Sequence, residues 1–309
     1  MSIYIIVILT IIAIITIILY TYYMKISILN RVNHMNHIKH IDPSKFVDDK
    51  IIWSYWDGSD KPLSVEIAIY TWRVHNPEYV ICILSESTLG QYLDRTALPK
   101  KYDEISVQRK TDVIRLALLE QYGGIWLDST IFLSCPLSIK WDPKTYDVGG
   151  YYAEFFTTDL TRPVLESWFI SAPKNSPLIK AWKKEFYNGV DSPNYDDYIR
   201  EMEKTVDLQK IEGKVYLMIH CCFLKAISSG SYNWKMFPAG KENGPFAYLT
   251  QYDWNERKAV WYLLTTKNEI PPVIKLRKPE RLWMDWLIYY MRSGSIMDRL
   301  VFGDIKKNN

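Results

Sequence analysis

The sequence has few cysteines and almost no excess of charge of either sign. Its four cysteines form no CxxC pair among 309 residues, which excludes a disulfide scaffold and a cysteine-type metal site. The 38 basic and 35 acidic residues leave a net charge of +3, too balanced to indicate nucleic-acid binding. With 48% hydrophobic and 24% charged positions, and no internal repeat, the chain is predicted to fold into one domain of catalytic size.

Charge is absent from the segment Ile3 to Tyr23, where only three threonines interrupt the apolar run. As a helix this segment would be about 30 Å long, the thickness of the hydrocarbon core of a bilayer. A cleaved signal peptide is less favoured, because no basic residue precedes the segment and no small-x-small cleavage site follows it. The sequence therefore predicts a single transmembrane anchor over residues 1–24.

The orientation of this anchor is predicted from the flanking charges. No Lys or Arg precedes it, whereas Lys25, Arg31 and Lys39 follow it, so the positive-inside rule places the main domain in the cytoplasm. The absence of an N-x-S/T sequon agrees with this placement. The ending Lys306-Lys307-Asn308-Asn309 resembles a dilysine retrieval signal, but a solvated tail is the favoured explanation.

Residues 25–48 are predicted to form a polar stem between the anchor and the soluble domain. His34, His37 and His40 recur there at a spacing of three, which on a helix places them along one side. A metal site is conceivable at such a spacing, but without nearby Cys or carboxylate ligands a polar stalk is the favoured interpretation.

Beyond the stem, short apolar runs alternate with segments of helical period. We predict strands at Ile51–Tyr55, Val80–Leu84 and Ile125–Leu127, with helices between them, the second over Thr111–Gln121. A further helix is expected at Leu178–Tyr187 and a last one near Arg281–Met291. This order predicts an α/β sheet whose ligands lie at the carboxyl ends of the strands.

The most informative stretch runs from Arg109 to Thr130. Asp112 and Arg115 share one helix face, and Asp128 falls where a buried strand ends, a place that suits a ligand better than packing. Taken singly, each residue has a plainer explanation, as a surface ion pair or as a turn residue.

Taken together, the pattern D-x-x-R followed by Y-G-G-I-W-L-D-S-T resembles the sugar-binding region of DXD-type glycosyltransferases. It is most similar to the capsular polysaccharide synthesis protein family, related to the yeast initiating α-mannosyltransferases and the glucosylating bacterial toxins. Three further segments fit this resemblance: Lys50–Gly58, Glu166–Ala172 and Tyr216–His220. The resemblance covers roughly residues 48–240 and implies a GT-A fold, a Rossmann-like α/β sheet with flanking helices, behind the anchor.

The resemblance also implies roles for particular residues. Trp56 would stack on the nucleobase of a nucleotide-sugar, and Asp112 and Arg115 would hold its ribose and sugar–phosphate region. Gly124 would belong to the same donor-binding region. Asp128, the first acid of the DXD motif, would be the residue central to catalysis and would bind Mn²⁺ or Mg²⁺, which stabilises charge on the departing diphosphate.

The motif departs from the family pattern at Thr130, which stands where the second acid is expected. We expect Thr130 to contact the metal through its hydroxyl or a water, and His220 to complete the ligand set. A hydrogen-bonded core histidine is the favoured alternative for His220. Glu154 and Asp159 are further candidates for contacts to donor or acceptor, although Asp159 is more simply a loop residue.

The C-terminal stretch Lys275–Tyr290 is basic and then aromatic. Two interpretations stand about equal: a helix lying on a membrane surface, which would suit a lipid-linked acceptor, and a core helix packed on the sheet. We divide the chain at 49–275 for the glycosyltransferase domain and at 276–309 for this C-terminal helix and tail.

The function predicted is that of a membrane-anchored, hexosyltransferase-like glycosyltransferase. It would move a sugar from a nucleotide-sugar to a glycan, glycolipid or glycoprotein, with retention and with metal assistance. Two alternatives remain: an inactive homologue that binds sugar or nucleotide, motivated by Thr130, and a structural membrane protein. The structural alternative predicts an Asp112–Arg115 pair lying away from Asp128.

Overall fold

A computed structural model describes residues 3–33, 50–58 and 60–303. The predicted α/β class is confirmed by eight strands and by helices interspersed with them. The strands are β1 (Ile51–Tyr55), β2 (Val80–Leu84), β3 (Gly124–Leu127), β4 (Ile131–Leu133), β5 (Val148–Tyr152), β6 (Leu165–Ala172), β7 (Trp234–Pro238) and β8 (Val273–Lys275). The helices are α1 (Ile3–Asn33), α2 (Leu63–His75), α3 (Glu86–Leu89), α4 (Val107–Tyr122), α5 (Pro177–Asp191), α6 (Tyr195–Glu203), α7 (Met218–Ser228), α8 (Ala247–Thr250), α9 (Glu256–Thr265), α10 (Lys278–Leu287) and α11 (Ile296–Phe302).

Six strands form the central sheet in the order β2-β1-β3-β6-β5-β7. The pairs β1–β2, β1–β3 and β5–β7 are parallel, whereas β6 runs antiparallel to both β3 and β5. The carboxyl ends of β1 and β3 therefore meet the beginning of β6 at one edge of the sheet. Peptide groups and side chains from three separate chain segments converge at this edge.

The sheet is covered on both faces, as its nearly continuous apolar strands require. Along β1, Trp53 packs into the cluster that includes α4, α5 and α7, while its neighbour Ile52 packs into the cluster with α2 and α9. This alternation follows from the two-residue period of a strand. The core thus consists of two apolar layers with the sheet between them.

The turn between α4 and β3 joins the helix that carries Asp112 to the strand that leads to Asp128. Gly123 ends the helix with a φ of 72°, a left-handed conformation that glycine adopts without strain. Its carbonyl accepts a hydrogen bond from Trp53 Nε1 at 2.9 Å, which ties the turn to β1. The helix starts at Val107, four residues before the predicted Thr111, because Ser106 caps it.

A two-stranded ribbon of β4 and β8 lies beyond the carboxyl end of β3. The two strands are antiparallel, with Ile131 opposite Lys275, so the ribbon brings a C-terminal lysine next to the segment that follows Asp128.

The anchor and stem predicted to meet at residue 24 form one continuous helix as far as Asn33. Residues 3–20 of α1 are exposed, whereas Ile28 and Val32 are fully buried in the same apolar cluster as α2 and α11. His34, His37, His40 and the tail Lys306–Asn309 lie outside the described residues.

The C-terminal region belongs to the main core. Met284 of α10 and Met297 of α11 are fully buried in the cluster that also contains α2 and α9, so this region packs on the rest of the domain, and the division at residue 275 stays a prediction. The helix expected to be the last, near 281–291, ends as an α-helix at Leu287 and is followed by α11.

Candidate active site

A cavity of about 540 Å³ opens at the edge of the sheet where β1 and β3 end. Its lining includes one side chain from each of five segments: Trp56 after β1, Asp112 on α4, Asp128 after β3, Glu166 on β6 and His220 on α7. These segments are far apart in the sequence, and the sheet order brings them together. Of the predicted site residues, Arg115 and Thr130 also line this cavity.

Arg115 joins the two predicted acids into one cluster. Its Nη2 lies 3.1 Å from Asp112 Oδ1 and 3.5 Å from Asp128 Oδ1. The Asp112–Arg115 pair therefore does not lie away from Asp128, contrary to the expectation for a purely structural membrane protein.

The guanidinium of Arg115 is held in place by its surroundings. Nη1 donates a hydrogen bond to the carbonyl of Ser167, and the group lies over the Trp126 ring at 5.0 Å from its centroid. Because Arg115 is buried and has partners on several sides, its charge has a fixed position at the cavity wall.

The two oxygens of Asp128 have different partners. Oδ1 accepts a hydrogen bond from Trp126 Nε1 at 3.1 Å, and Oδ2 accepts one from Lys275 Nζ at 2.8 Å. The same ammonium donates to Thr130 Oγ1 at 2.9 Å, and this hydroxyl in turn donates to the carbonyl of Leu276 at 2.7 Å. Lys275, which is buried, thus links the first and third positions of the D-S-T motif.

These contacts shift the pKa values of the two acids in opposite directions. Burial raises the pKa of Asp112 above its usual 3.8, and Arg115 opposes that shift. Burial acts in the same sense on Asp128, but the charges of Lys275 and Arg115 outweigh it and hold the pKa of Asp128 below 3.8. Asp128 is therefore ionised at neutral pH.

Trp56 lies at the mouth of the cavity, directly after β1. Its Nε1 donates to the carbonyl of Asp60 at 3.3 Å, and Arg281 lies over the ring at 5.8 Å from its centroid. A Cβ on Gly58 would come within 2.8 Å of Trp56 Nε1, so a glycine is needed there for the indole to keep this position. Trp56 is partly exposed and lines the cavity.

His220 is not the hydrogen-bonded core histidine that was the favoured alternative. It is 6% exposed, and neither of its ring nitrogens has a hydrogen-bond partner among the described residues. The nearest carboxylate is Glu166, whose Oε2 lies 3.8 Å from Nε2 and accepts a hydrogen bond from Trp168 Nε1.

Three other predicted residues lie away from these side chains. Gly124 begins β3, at the end of the strand opposite Asp128, and is not part of the cavity lining. Glu154 accepts hydrogen bonds from the backbone N–H groups of Ala239 and Gly240, and Asp159 accepts them from Thr161 in an exposed loop. The contacts of Glu154 and Asp159 explain their positions structurally, and all three functional assignments stay predictions.

The donor atoms do not fit the predicted metal site in the arrangement described. Asp128 and Thr130 are hydrogen-bonded to Lys275, and His220 lies beside Glu166. Among residues 3–33, 50–58 and 60–303, no group of three His, Cys, Asp or Glu side chains could hold a metal ion.

Sequence reasoning missed Lys275 and Glu166 as site residues. Each has a local signal, since Lys275 ends an apolar strand and Glu166 lies in the segment that carries the family resemblance. The pairing of β8 with β4 has no such signal.

Comparison with known families identifies the chain. The model of the capsular polysaccharide synthesis protein family matches residues 21–271. The chain belongs to this family, as its motifs indicated. The match includes all six strands of the central sheet, together with Asp112, Arg115 and Asp128, and it ends before Lys275.

Two curated relatives in fungi share the glycosyltransferase name. The O-glycosyltransferase braB of Annulohypoxylon truncatum is 29% identical over 161 residues, covering 45% of this chain and 37% of the relative. The glycosyltransferase afumC of Aspergillus fumigatus is 28% identical over 159 residues, covering 45% of this chain and 40% of the relative. The alignments thus span less than half the length of either relative.

Among solved structures, the chain is similar to one described as PaToxG glycosyltransferase. The TM-score is 0.33 and the identity 14%, over 67% of this chain and 88% of that one.

Proposed function

We propose that the protein is a glycosyltransferase that moves a sugar from a nucleotide-sugar to a hydroxyl group of a glycan, glycolipid or glycoprotein. The observation that carries the proposal is the Asp112–Arg115–Asp128 cluster at the carboxyl end of β3, in the wall of the cavity described above. Family membership and the names of the fungal relatives support the same reaction class.

The reaction breaks the bond between the anomeric carbon and the diphosphate, whose oxygen keeps the electron pair. The acceptor oxygen forms the new bond to that carbon, with retention, and its proton passes to the departing phosphate. Negative charge therefore grows on the diphosphate. Among the described residues that line the cavity, the positively charged side chains are those of Arg109 and Arg115. Positive charge held in a fixed position stabilises the transition state of this reaction.

Lys275 acts indirectly in this proposal. Its ammonium holds Asp128 and Thr130 in one arrangement and neutralises the carboxylate that would otherwise repel the diphosphate. Because the donor set does not fit Mn²⁺ or Mg²⁺, no step is assigned to a metal. Metal assistance through Asp128, Thr130 and His220 requires Lys275 to leave these oxygens.

We further propose that α1 anchors the protein in a membrane. It is the one helix of the described residues that is long and apolar enough to cross a bilayer. The turn Ile288–Tyr290 contacts α1, and nearby Leu282, Trp286 and Tyr290 are exposed, Trp286 by 67%. An exposed aromatic surface beside an anchor suits the headgroup region, and the flanking charges favour a cytoplasmic domain.

The test uses the full chain in detergent micelles, because α1 packs on the domain. Donor hydrolysis is measured over a panel of nucleotide-sugars, with and without EDTA, beside Asp128→Asn. Asp103→Asn, an exposed aspartate outside the cavity lining, is the matched control. We expect the wild-type protein and the control to hydrolyse one donor. In Asp128→Asn this hydrolysis should fall at least about 100-fold, because Arg115 loses a carboxylate that holds its guanidinium at the cavity wall.

Each of the other outcomes would support a different function for this protein. Nucleotide binding without turnover, even with acceptors, would support the inactive homologue. No binding of any nucleotide would contradict the proposal and favour the structural alternative. Hydrolysis that is abolished by EDTA and restored by Mn²⁺ would support the metal site.

A further inference from the structure

His220 is a buried polar side chain whose hydrogen-bonding capacity is unused. It is the third residue of α7, lines the cavity, and has no partner for Nδ1 or Nε2 among the described residues. Buried polar groups are nearly always hydrogen-bonded, and those that are not call for an explanation. A ligand hydroxyl that reaches one of these nitrogens from the cavity, which His220 lines, would provide one.

Glu166 has unused capacity at the same place. Its Oε2 accepts a hydrogen bond from Trp168 at 2.9 Å and lies 3.8 Å from His220 Nε2, which is too far for a direct hydrogen bond. Its side chain is 13% exposed, within the cavity lining. The imidazole and the carboxylate are therefore two neighbouring groups that can both receive a ligand.

We propose that His220 and Glu166 form the subsite for the donor sugar, and that this subsite selects a neutral hexose over a uronic acid. The inference rests on the proposed function and names its substrate class. An imidazole offers a hydrogen-bond donor, and the carboxylate offers acceptors. Neighbouring hydroxyls of a sugar ring both donate and accept, so they complement this pair.

The charges of the cavity give the selectivity. Its lining carries four carboxylates, those of Asp57, Asp112, Asp128 and Glu166. The cations are already engaged: Arg115 with two of these acids, and Arg109 with the carbonyl of Val215 at 2.6 Å and the ring of Tyr195. A uronate carboxylate beside Glu166 would meet like charge there, and such a juxtaposition is strongly unfavourable.

The test measures matched donor pairs on the full chain in detergent micelles. UDP-glucose is compared with UDP-glucuronate and UDP-galactose with UDP-galacturonate, and GDP-mannose is included. For donors that carry the nucleobase the protein uses, we expect kcat/KM for hydrolysis to be about 100-fold higher with the neutral sugar than with the matching uronate. If GDP-mannose is the donor, a GDP-linked uronate replaces the UDP pairs.

Two variants test the residues themselves. Glu166→Gln removes the charge at constant size and is expected to narrow the discrimination to less than about 10-fold. His220→Gln is expected to raise KM for the donor about 10-fold. Both should leave the Kd of the free nucleoside diphosphate within about twofold, because they contact the sugar and not the nucleotide. Glu104→Gln, on the exposed surface, is the control and should change neither quantity.

Equal or better use of the uronate by the wild-type protein would overturn the inference. The inference would also be overturned if the variants weakened binding of the free nucleoside diphosphate as much as binding of the donor, since the two residues would then belong to the nucleotide subsite. If His220→Gln does not fold, Glu166→Gln decides. A wild-type protein that binds no donor and no nucleotide would contradict the proposed function itself, which is a distinct result.

Discussion

At Asp128 both carboxylate oxygens have partners within the protein, whereas at His220, in the same cavity, neither ring nitrogen has one among the described residues. Around Asp128 the hydrogen bonds are formed within the protein before any ligand binds, and Arg115 and Lys275 balance the charge of the carboxylate. Around His220 the hydrogen bonds of the ring nitrogens are not formed within the described residues. We infer that the Asp128 side supplies fixed charge, and that the His220 side gains its missing hydrogen bonds from the substrate.

The largest expected effect comes from removing Arg115, the cation shared by Asp112 and Asp128. Arg115→Met leaves the buried carboxylates of Asp112 and Asp128 without their shared cation, which we expect to lower the free energy of unfolding by about 3–5 kcal/mol. Donor hydrolysis should fall about 1,000-fold. Urea unfolding and kcat/KM measure the two effects.

The matched control is Arg95→Met, which removes an exposed ion pair with Asp103 and should change little. Equal stability of Arg115→Met and Arg95→Met would contradict the role assigned to Arg115.

A smaller loss is expected on removing the second cation of the Asp128 side. Lys275→Met deletes the hydrogen bonds to Asp128 and Thr130, lowering the free energy of unfolding by about 2 kcal/mol. Hydrolysis should fall about 10- to 100-fold, since Lys275 positions Asp128 and is itself outside the cavity lining. Lys275→Arg keeps the charge, so better retention of activity than in Lys275→Met is the expected result. If Lys275→Met gained activity with Mn²⁺, the lysine would instead be blocking a metal site.

Replacing His220, which has no hydrogen-bond partner among the described residues, is expected to raise stability instead of lowering it. His220→Leu removes a buried polar group without partners, so the free energy of unfolding should rise by about 1 kcal/mol while donor kcat/KM falls about 10-fold. Thermal unfolding and donor kinetics on the same preparation check this. A loss of stability similar to that of Lys275→Met would show that His220 has a structural partner.

The smallest effect concerns acid. The pKa of Asp128 is lower in the folded protein than its usual 3.8, so the unfolded chain binds the extra proton as the pH falls. The stability that this carboxylate contributes is complete above 3.8 and is lost as the pH drops through the folded value. Urea unfolding at several acidic pH values should show a shallower pH dependence in Asp128→Asn than in the wild-type protein. Identical slopes would contradict the shift.

Local patterns predicted three of the six strands of the central sheet and drew attention to several side chains that line the cavity. The bounds of β1 and β2 agree with the apolar runs Ile51–Tyr55 and Val80–Leu84, because a strand covered on both faces leaves a continuous hydrophobic signal. The early start of α4 was missed, since its first turn is polar and only Ser106 marks it. Asp112 and Arg115 were recognised because helical spacing and motif agree there.

The sequence by itself determined the apolar helix near the N-terminus, the α/β class, the family, and the presence of Asp112, Arg115 and Asp128 in one motif. These are local properties, set by hydrophobic period and by residues within one short segment. Only the tertiary structure decided that Lys275, 147 residues from Asp128, donates a hydrogen bond to that carboxylate. It also decided that His220 and Glu166 both line the cavity without a hydrogen bond between them. Such contacts depend on strand pairing and helix packing between distant segments, and no short window of sequence encodes them.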